Sequence, residues 1–401
     1  MNKSGLIKVL AVAVVVIIIG AAIFVMLGGE EEDQGDGPAL YYDMAGRNVT
    51  AVVEMEIDHL VASGVGALRF VSYLNCSDKV VAVEAREGPA YNAKSYMYAF
   101  EYDNKSNFNR SIGSGADGLI EYPEQLLMLQ DTPQVIIYSV PSRTLTAEQQ
   151  NYISNAELLG MKVVVILELD TMLNEASDGL SEVFVNQTML MGNVLNKTAK
   201  ASELLSFMND TISDLRSRMS TVSAADREVS AYIGCLSYAG AKGFDYSSSW
   251  YDPFALLGVN NTITGGSSVV YQINMESIIE MQPEYVFLEP TGYKTFLADW
   301  NNGSSARSSS VLNAMTAFQE GNVFMTVPFI WYGVNFDNVL LGAYYIGSVL
   351  YPDAFDDVVL EDKAAEIFGA FVGYDCYAEM DAWFLGNRST NITGQAGVVS
   401  G

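Results

Sequence analysis

Histidine is almost absent from this chain: His59 is the single one in 401 residues. Zinc proteases, histidine-rich metal traps and Ser-His-Asp hydrolases all need imidazole, so each is disfavoured from the start. His59 lies in the acidic-apolar stretch Glu56-Ile57-Asp58-His59-Leu60 and reads as a structural residue rather than a ligand. Cysteine is scarce as well. Cys76, Cys235 and Cys376 are too scattered for a metal cluster, and an odd number outside a cell allows at most one bridge plus a spare thiol. The spacing leaves open which of them pair, if any do. Positive charge is short: 21 Lys and Arg stand against 48 Asp and Glu, a net charge of −27. Such a surface repels nucleic acid and anionic lipid, so partners of those kinds are not expected. No Walker A sequence, G-x-S-x-G elbow or EF-hand loop is present. Gly113-Ser114-Gly115-Ala116-Asp117-Gly118 matches the dinucleotide pattern, but the polar run Asn104–Ser111 precedes it where a strand is required. Carboxylate pairs such as Glu168/Asp170 are what an acidic chain supplies by chance. Nothing catalytic rises above that background, so neither an enzyme nor a cofactor is expected.

What is present begins at the N-terminus. Lys3 and Lys8 precede an uncharged run from Val9 to Gly29, followed by Glu30-Glu31-Glu32-Asp33. As a helix that run spans about 31 Å at 1.5 Å per residue, close to a bilayer core of about 30 Å. The lysines stay inside and the acidic side faces out. The run is longer than the 7–15 residues of a signal-peptide core, and no cysteine follows it to take a lipid, so an uncleaved anchor is expected. Asn-x-Ser/Thr sequons begin at Asn48, Asn75, Asn104, Asn109, Asn186, Asn196, Asn209, Asn260, Asn302, Asn387 and Asn391. Chance would supply roughly a third of them, and such sequons are glycosylation acceptors on secreted surfaces. Anchor and sequons together predict a tethered, extracytoplasmic protein.

Half of the chain is apolar, enough for a sizeable core. Short uninterrupted apolar runs predict strands at Val80–Glu84, Val135–Tyr138, Val163–Leu167, Val229–Ile233, Tyr285–Leu288 and Val323–Val327. Runs of this kind suit parallel strands buried on both faces. Helices are predicted at Gly66–Leu74, Ala147–Gly160, Asn335–Leu350 and Glu361–Phe371. The alternation is that of an α/β fold. Ser181 to Met219 has no strand signal, and Leu204, Leu205, Met208, Ile212, Leu215 and Met219 form one stripe of a helix over Lys197–Met219. About 35 Å long, that helix could cross between domains. The chain also repeats itself once. Tyr122–Gln130 precedes Pro133 and a strand, and Asn274–Gln282 precedes Pro283 and a strand, each segment opening near a glutamate. These signals divide the chain into a cytoplasmic stub (1–8), a transmembrane anchor (9–29) and an acidic linker (30–40). An N-terminal α/β lobe (41–193), an interdomain helix (194–222), a C-terminal α/β lobe (223–373) and a tail (374–401) follow.

In open α/β sheets ligands bind beyond the carboxyl ends of the strands. The segments there, 85–98, 234–251, 289–293 and 328–332, are rich in aromatics: Tyr91, Tyr96, Tyr98, Tyr238, Tyr246, Trp250, Tyr251, Tyr293, Trp331 and Tyr332. Aromatic faces give large rigid contact area, and their hydroxyl and indole groups give direction. Arg86, Lys94 and Lys242 stand out in a cation-poor chain and could meet the anionic groups of a bulky ligand. The candidate ligand-binding set is Arg86, Tyr91, Tyr238, Lys242, Trp250, Tyr251, Trp331 and Tyr332.

The run Tyr42-Asp43-Met44-Ala45-Gly46-Arg47-Asn48-Val49-Thr50 resembles the first hairpin of binding proteins for iron-siderophore, haem and vitamin B12 ABC importers. Further similarities are Gly66-Ala67-Leu68-Arg69-Phe70, Lys79–Glu84, and Ile112-Gly113 before the Glu124 helix. Tyr232–Tyr238 with Gly240, Gly243 and Trp250 resembles archaeal members, as do Leu341–Gly347 and Tyr351-Pro352. The resemblance implies two lobes, each a mainly parallel sheet flanked by helices, joined by one long helix with little hinge motion. It implies a ligand held in the cleft between them and one surface glutamate per lobe that docks onto arginines of the permease. Glu124 and Glu276, matched in the internal repeat, fall at those positions. The chain departs from the family in its anchor, which replaces a lipid, and in a Gly/Asn/Thr-rich tail after Trp383.

The expected function is to bind a ferric siderophore or related metal chelate (corrinoid or haem) and deliver it to a permease and its ATPase. The near-absence of histidine disfavours a bare metal or a His-ligated haem. An alternative cargo within the class is molybdate or tungstate. A glycosylated surface-layer or adhesion protein is the rival from another class, and an extracytoplasmic enzyme comes third.

Overall fold

The computed structural model describes residues 39–88, 94–98, 123–237, 240–265 and 270–385. The anchor segment, the glycine pattern at 113–118, and Tyr91 and Tyr238 lie outside the described residues. Among the described residues no helix is long and apolar enough to cross a membrane.

Two four-stranded sheets organise the chain. The first contains β1 (Leu60–Ser63), β2 (Val80–Ala82), β3 (Val135–Val140) and β4 (Lys162–Leu167), in the order β2-β1-β3-β4. The second contains β5 (Ser230–Gly234), β7 (Asn260–Asn261), β9 (Tyr285–Leu288) and β10 (Val323–Met325), in the order β7-β5-β9-β10. Every pairing in both is parallel. Counting strands within each lobe, both sheets read 2-1-3-4, the doubly wound order whose reversal beside strand 1 opens a crevice. The remaining strands, β6 (Tyr246–Ser247) and β8 (Tyr271–Gln272), form a small antiparallel pair in the second lobe. All six strands expected from apolar runs are present; β3 is buried along its whole length, as a strand covered on both faces must be.

Helices cover the sheets: α1 (Ala67–Tyr73), α2 (Ala147–Leu158), α3 (Glu182–Val194), α4 (Thr198–Thr221), α5 (Asp252–Leu257), α6 (Met275–Met281), α7 (Phe336–Leu350), α8 (Leu360–Val372) and α9 (Tyr377–Leu385), with the helix Tyr293–Trp300 between α6 and α7 and short helical turns elsewhere. Helix α2 starts on a capping box, with Thr146 accepting from Gln149 N while the Gln149 side chain accepts from Thr146 N. Helix α4 has 24 residues and buries the stripe Ala201, Leu204, Leu205, Met208, Thr211, Ile212, Leu215 and Met219. At its end Arg218 bonds Asp214 and Asp357 and reaches the Ala354 carbonyl at 3.2 Å. Helix α3 is an addition to what the periodicity suggested. It precedes α4 and packs against it, its start capped by Ser181.

The last helices return to the first lobe. Phe371 of α8 meets Tyr73 of α1 edge-on at 4.8 Å, and Cys376 Sγ lies 3.4 Å from the Ser95 carbonyl. One apolar cluster therefore runs through both lobes and α4, while a second (Tyr232, Phe244, Phe296, Phe318) stays within the C-terminal lobe. Cys76, Cys235 and Cys376 are all buried free thiols.

Candidate functional site

After β10 the chain turns through Pro328–Asn335 before entering α7, and this strap crosses to the N-terminal lobe. Ile330 and Val334 bridge each other, and Trp331 N donates to the Gly333 carbonyl at 3.0 Å. The reversal puts Tyr332 at φ 51° and Gly333 at φ 95°. Glycine is required at the second position: a Cβ there would lie 2.8 Å from Arg69 Nη1.

Arg69, on α1 and 1 % exposed, holds the strap. Its Nη2 donates to the carbonyls of Trp331 (3.3 Å) and Gly333 (3.1 Å) and to Asn335 Oδ1 (3.0 Å). Tyr332 Oη donates to Glu84 Oε2 at 2.7 Å. From the other lobe, Glu289 Oε1 accepts from Phe329 N at 3.0 Å, and Asn338 Nδ2 donates to the Pro328 carbonyl at 2.8 Å. Both lobes thus grip one loop.

The N-terminal side of the crevice is a buried polar cluster. Glu84, just past β2, also accepts from Ser63 Oγ and Gly64 N, both at 3.1 Å. Burial pushes its carboxyl up to about 7 against the pull of these donors. Glu87 pairs with Lys94 at 2.6 Å with both side chains buried, and Tyr96 Oη donates to the same carboxylate. Burial lowers the Lys94 pKa while Glu87 opposes the shift. Asp337 accepts from Tyr73 Oη at 2.9 Å and from Ser95 Oγ, and burial raises its pKa.

On the C-terminal side, Glu289 accepts from Thr291 N at 3.0 Å and from the Thr291 hydroxyl, and burial pushes it up to about 8. Asp252 makes a second tie between the lobes. It accepts from Trp250 Nε1 (2.7 Å), Thr171 Oγ1 (2.9 Å) and Met172 N (3.3 Å), and burial pushes it up to about 6.

Between these ties lies a narrow, nearly closed crevice walled by Val65, Gly66, Arg69, Glu168, Gly333 and Phe336. It opens beyond the carboxyl ends of β1 and β4, the side of an open α/β sheet on which ligands bind. Glu168 is partly exposed there, and burial followed by the neighbouring Asp170 raises its pKa.

The sequence-derived candidates fall into three groups. Trp331 and Tyr332 form the tip of the strap, and exposed Arg86 lies 5.9 Å from the centre of the Tyr332 ring. Trp250 is half-buried at the Asp252 tie, and Lys242 stacks 5.0 Å from Tyr246 on the C-terminal lobe. Tyr251 belongs to the core: it is 1 % exposed, its ring against Phe254 and Phe329, because it starts α5 facing inward. Lys94 is likewise spent, its ammonium consumed by Glu87. Glu124 and Glu276 are both exposed, each on a short helix that precedes the third strand of its lobe.

Arg69, Glu84, Asp252 and Glu289 were not among the candidates. Only Arg69 left a signal, as a lone cation inside an apolar helix. Among the described residues no cluster of three or more His, Cys, Asp and Glu could hold a metal ion.

Two lobes of one strand order, a helix packed along them and a crevice between the carboxyl ends of the first sheet and the strap of the second lobe define a solute-binding fold. The family described as periplasmic binding protein matches residues 98–328, more than half of the chain, and the chain belongs to that family. In structure it is similar to the molybdate-binding protein MolA of Haemophilus influenzae bound to molybdate. The TM-score is 0.61 at 18 % identity, covering 84 % of this chain and 99 % of that one. It is also similar to a periplasmic solute-binding protein of Veillonella parvula (TM-score 0.60, 18 % identity, 85 % and 95 % covered). A third likeness is to CeuE of Helicobacter pylori with Ni(II) bound (0.56, 14 %, 86 % and 100 %). At these identities the likeness is one of fold. No curated protein matches the chain in sequence. The protein is an extracytoplasmic solute-binding subunit of an ABC importer, the class that hands a small ligand to a permease and its ATPase.

Proposed function

We propose that the cargo is a metal chelate, an iron(III)-siderophore or a related corrinoid or haem, taken up in the crevice between the lobes. The observation that carries this reading is the strap tip: Trp331 and Tyr332 stand half-exposed beside Arg86 where both lobes meet. Two aromatic faces and a cation suit a large, flat, anionic ligand. The metal then arrives already coordinated, which needs no cluster of protein ligands. Trp250 and Lys242 extend the surface on the C-terminal lobe; Tyr91 and Tyr238 complete the proposed set. Glu124 and Glu276 are the proposed contacts to the permease, one per lobe, and residues 9–29 the anchor.

A second reading, a compact oxyanion such as molybdate or tungstate, is supported by the likeness of fold to MolA bound to molybdate.

The purified chain, titrated with ferric siderophores, cobalamin, haemin and molybdate, separates the readings by which ligand quenches tryptophan fluorescence. Trp331→Ala should weaken chelate binding at least tenfold, the loss expected of a buried aromatic anchor, and Arg86→Ala several-fold. Unchanged affinity in both variants would refute the site, and silence across the panel would refute the cargo class.

A further inference from the structure

The sequons that the structure describes are not equivalent. At Asn186 and Asn209 the asparagine lies within a helix and its Nδ2 donates, to Glu182 Oε1 at 3.5 Å and to the Leu205 carbonyl at 3.0 Å. The hydroxyls of Thr188 and Thr211 are turned back onto the Phe184 and Phe207 carbonyls, and both threonines are buried. Asn260 Nδ2 is held by the Glu228 carbonyl at 3.3 Å, and Ser77 of the Asn75 sequon is buried. At Asn196 the Thr198 hydroxyl is bonded to Asn193 Oδ1. Asn48 Oδ1 accepts from Thr50 N, but the Thr50 hydroxyl is taken by Tyr41 N at 2.9 Å.

Asn302-Gly303-Ser304 has none of these restraints. All three residues are exposed, in the turn after the helix Tyr293–Trp300. Asn302 Oδ1 accepts from Ser304 N at 3.2 Å, closing an Asx turn that brings the third residue beside the amide. Among the described residues neither Asn302 Nδ2 nor the Ser304 hydroxyl makes a hydrogen bond. Nothing lies within 4 Å of a Cβ built on Gly303, so the loop is open to a large catalyst.

We propose that Asn302 carries an N-linked glycan, transferred from a lipid-phosphate-linked saccharide by an external transferase. Asn302 Nδ2 attacks the anomeric carbon and the C–N bond forms. The anomeric C–O bond to phosphate breaks, the phosphate leaves with its electron pair, and the amide proton passes to a base of the transferase. Nothing is oxidised or reduced. The step needs an extracytoplasmic location, which the family supplies, and does not depend on the cargo.

The test is glycopeptide mass spectrometry on the full chain extracted in detergent from its native host. The Asn302 peptide is expected to carry a saccharide mass, with the Asn186 and Asn209 peptides bare. Asn302→Gln should lower the apparent mass by one glycan step and leave ligand binding unchanged. A wholly unmodified Asn302 peptide overturns the proposal. So does equal occupancy at Asn186 or Asn209, because the folded geometry would then not be what selects the site.

Discussion

At the crevice end of the N-terminal lobe, Glu84 and Glu87 are buried close to two buried cations, Arg69 and Lys94. At the matching end of the C-terminal lobe, Glu289 and Asp252 are buried with neutral donors alone: backbone N–H groups, threonine hydroxyls and an indole. The backbone plan is the same in both lobes. What differs is how buried charge is accommodated. The first lobe matches one buried carboxylate, Glu87, with the buried Lys94. Glu84 beside it, like Glu289 and Asp252 in the second lobe, is met by neutral donors and holds a proton more tightly than usual. The lesson is that a shared strand order sets where polar groups must gather without setting how they are satisfied.

Breaking the pair is the severest test. Lys94→Met leaves Glu87 buried without its cation and should destabilise the protein by about 3–5 kcal/mol in urea denaturation at neutral pH. Glu289→Gln, which mimics the protonated acid, should cost about 1 kcal/mol or less in the same assay. Equal losses would dissolve the contrast between the lobes.

Next comes Arg69→Ala, which strands the Trp331 and Gly333 carbonyls without their donor. A loss of about 2–3 kcal/mol is expected, with faster proteolysis within 328–335 as the sign that the strap has come loose. An intact strap in that variant would show that the C-terminal lobe grips it unaided.

A smaller effect follows from pH. Glu84, Asp252 and Glu289, at about 7, 6 and 8, all bind protons more tightly folded than unfolded. The stability they contribute is complete below the ordinary carboxylate range of about 4 and is lost as pH rises through 6 to 8. Asp214, held below its ordinary value by the Tyr344 and Arg218 hydrogen bonds against the opposing effect of burial, acts in the reverse sense, only in acid. The Tm should therefore fall between about pH 4 and pH 8, and Glu289→Gln should flatten that slope. A Tm that rises over this range would overturn the assignment. Least of all, Tyr332→Phe removes one hydrogen bond to Glu84 and should cost about 1 kcal/mol.

The sheets were legible because Val135–Val140 and Val163–Leu167 are unbroken apolar runs, the local signature of a strand covered on both faces. β1 escaped notice because Leu60–Ser63 is four residues between an acidic stretch and Gly64. Helix α3 escaped because apolar residues surround it: Phe184, Leu190, Met191 and Val194 are buried on one face, while Val185 and Met189 lie on the other, which blurs the stripe. The aromatics were legible only as a set. Trp331 and Tyr332 reach the crevice while Tyr251 turns into the core, and nothing within either segment distinguishes them.

By itself the sequence determined the α/β class, six of the eight strands in the two parallel sheets and the stripe of α4, because burial of a strand or helix face is written in spacings of two to four residues. Tertiary structure alone decided the crevice. Arg69 meets the 331–335 loop, Glu84 meets Tyr332, and Thr171 meets Asp252, pairs far apart in the chain that only the 2-1-3-4 order and the return of α8 to the first lobe bring within hydrogen-bond reach. A buried polar group must find partners wherever the fold supplies them, and no local pattern records which distant ones those will be.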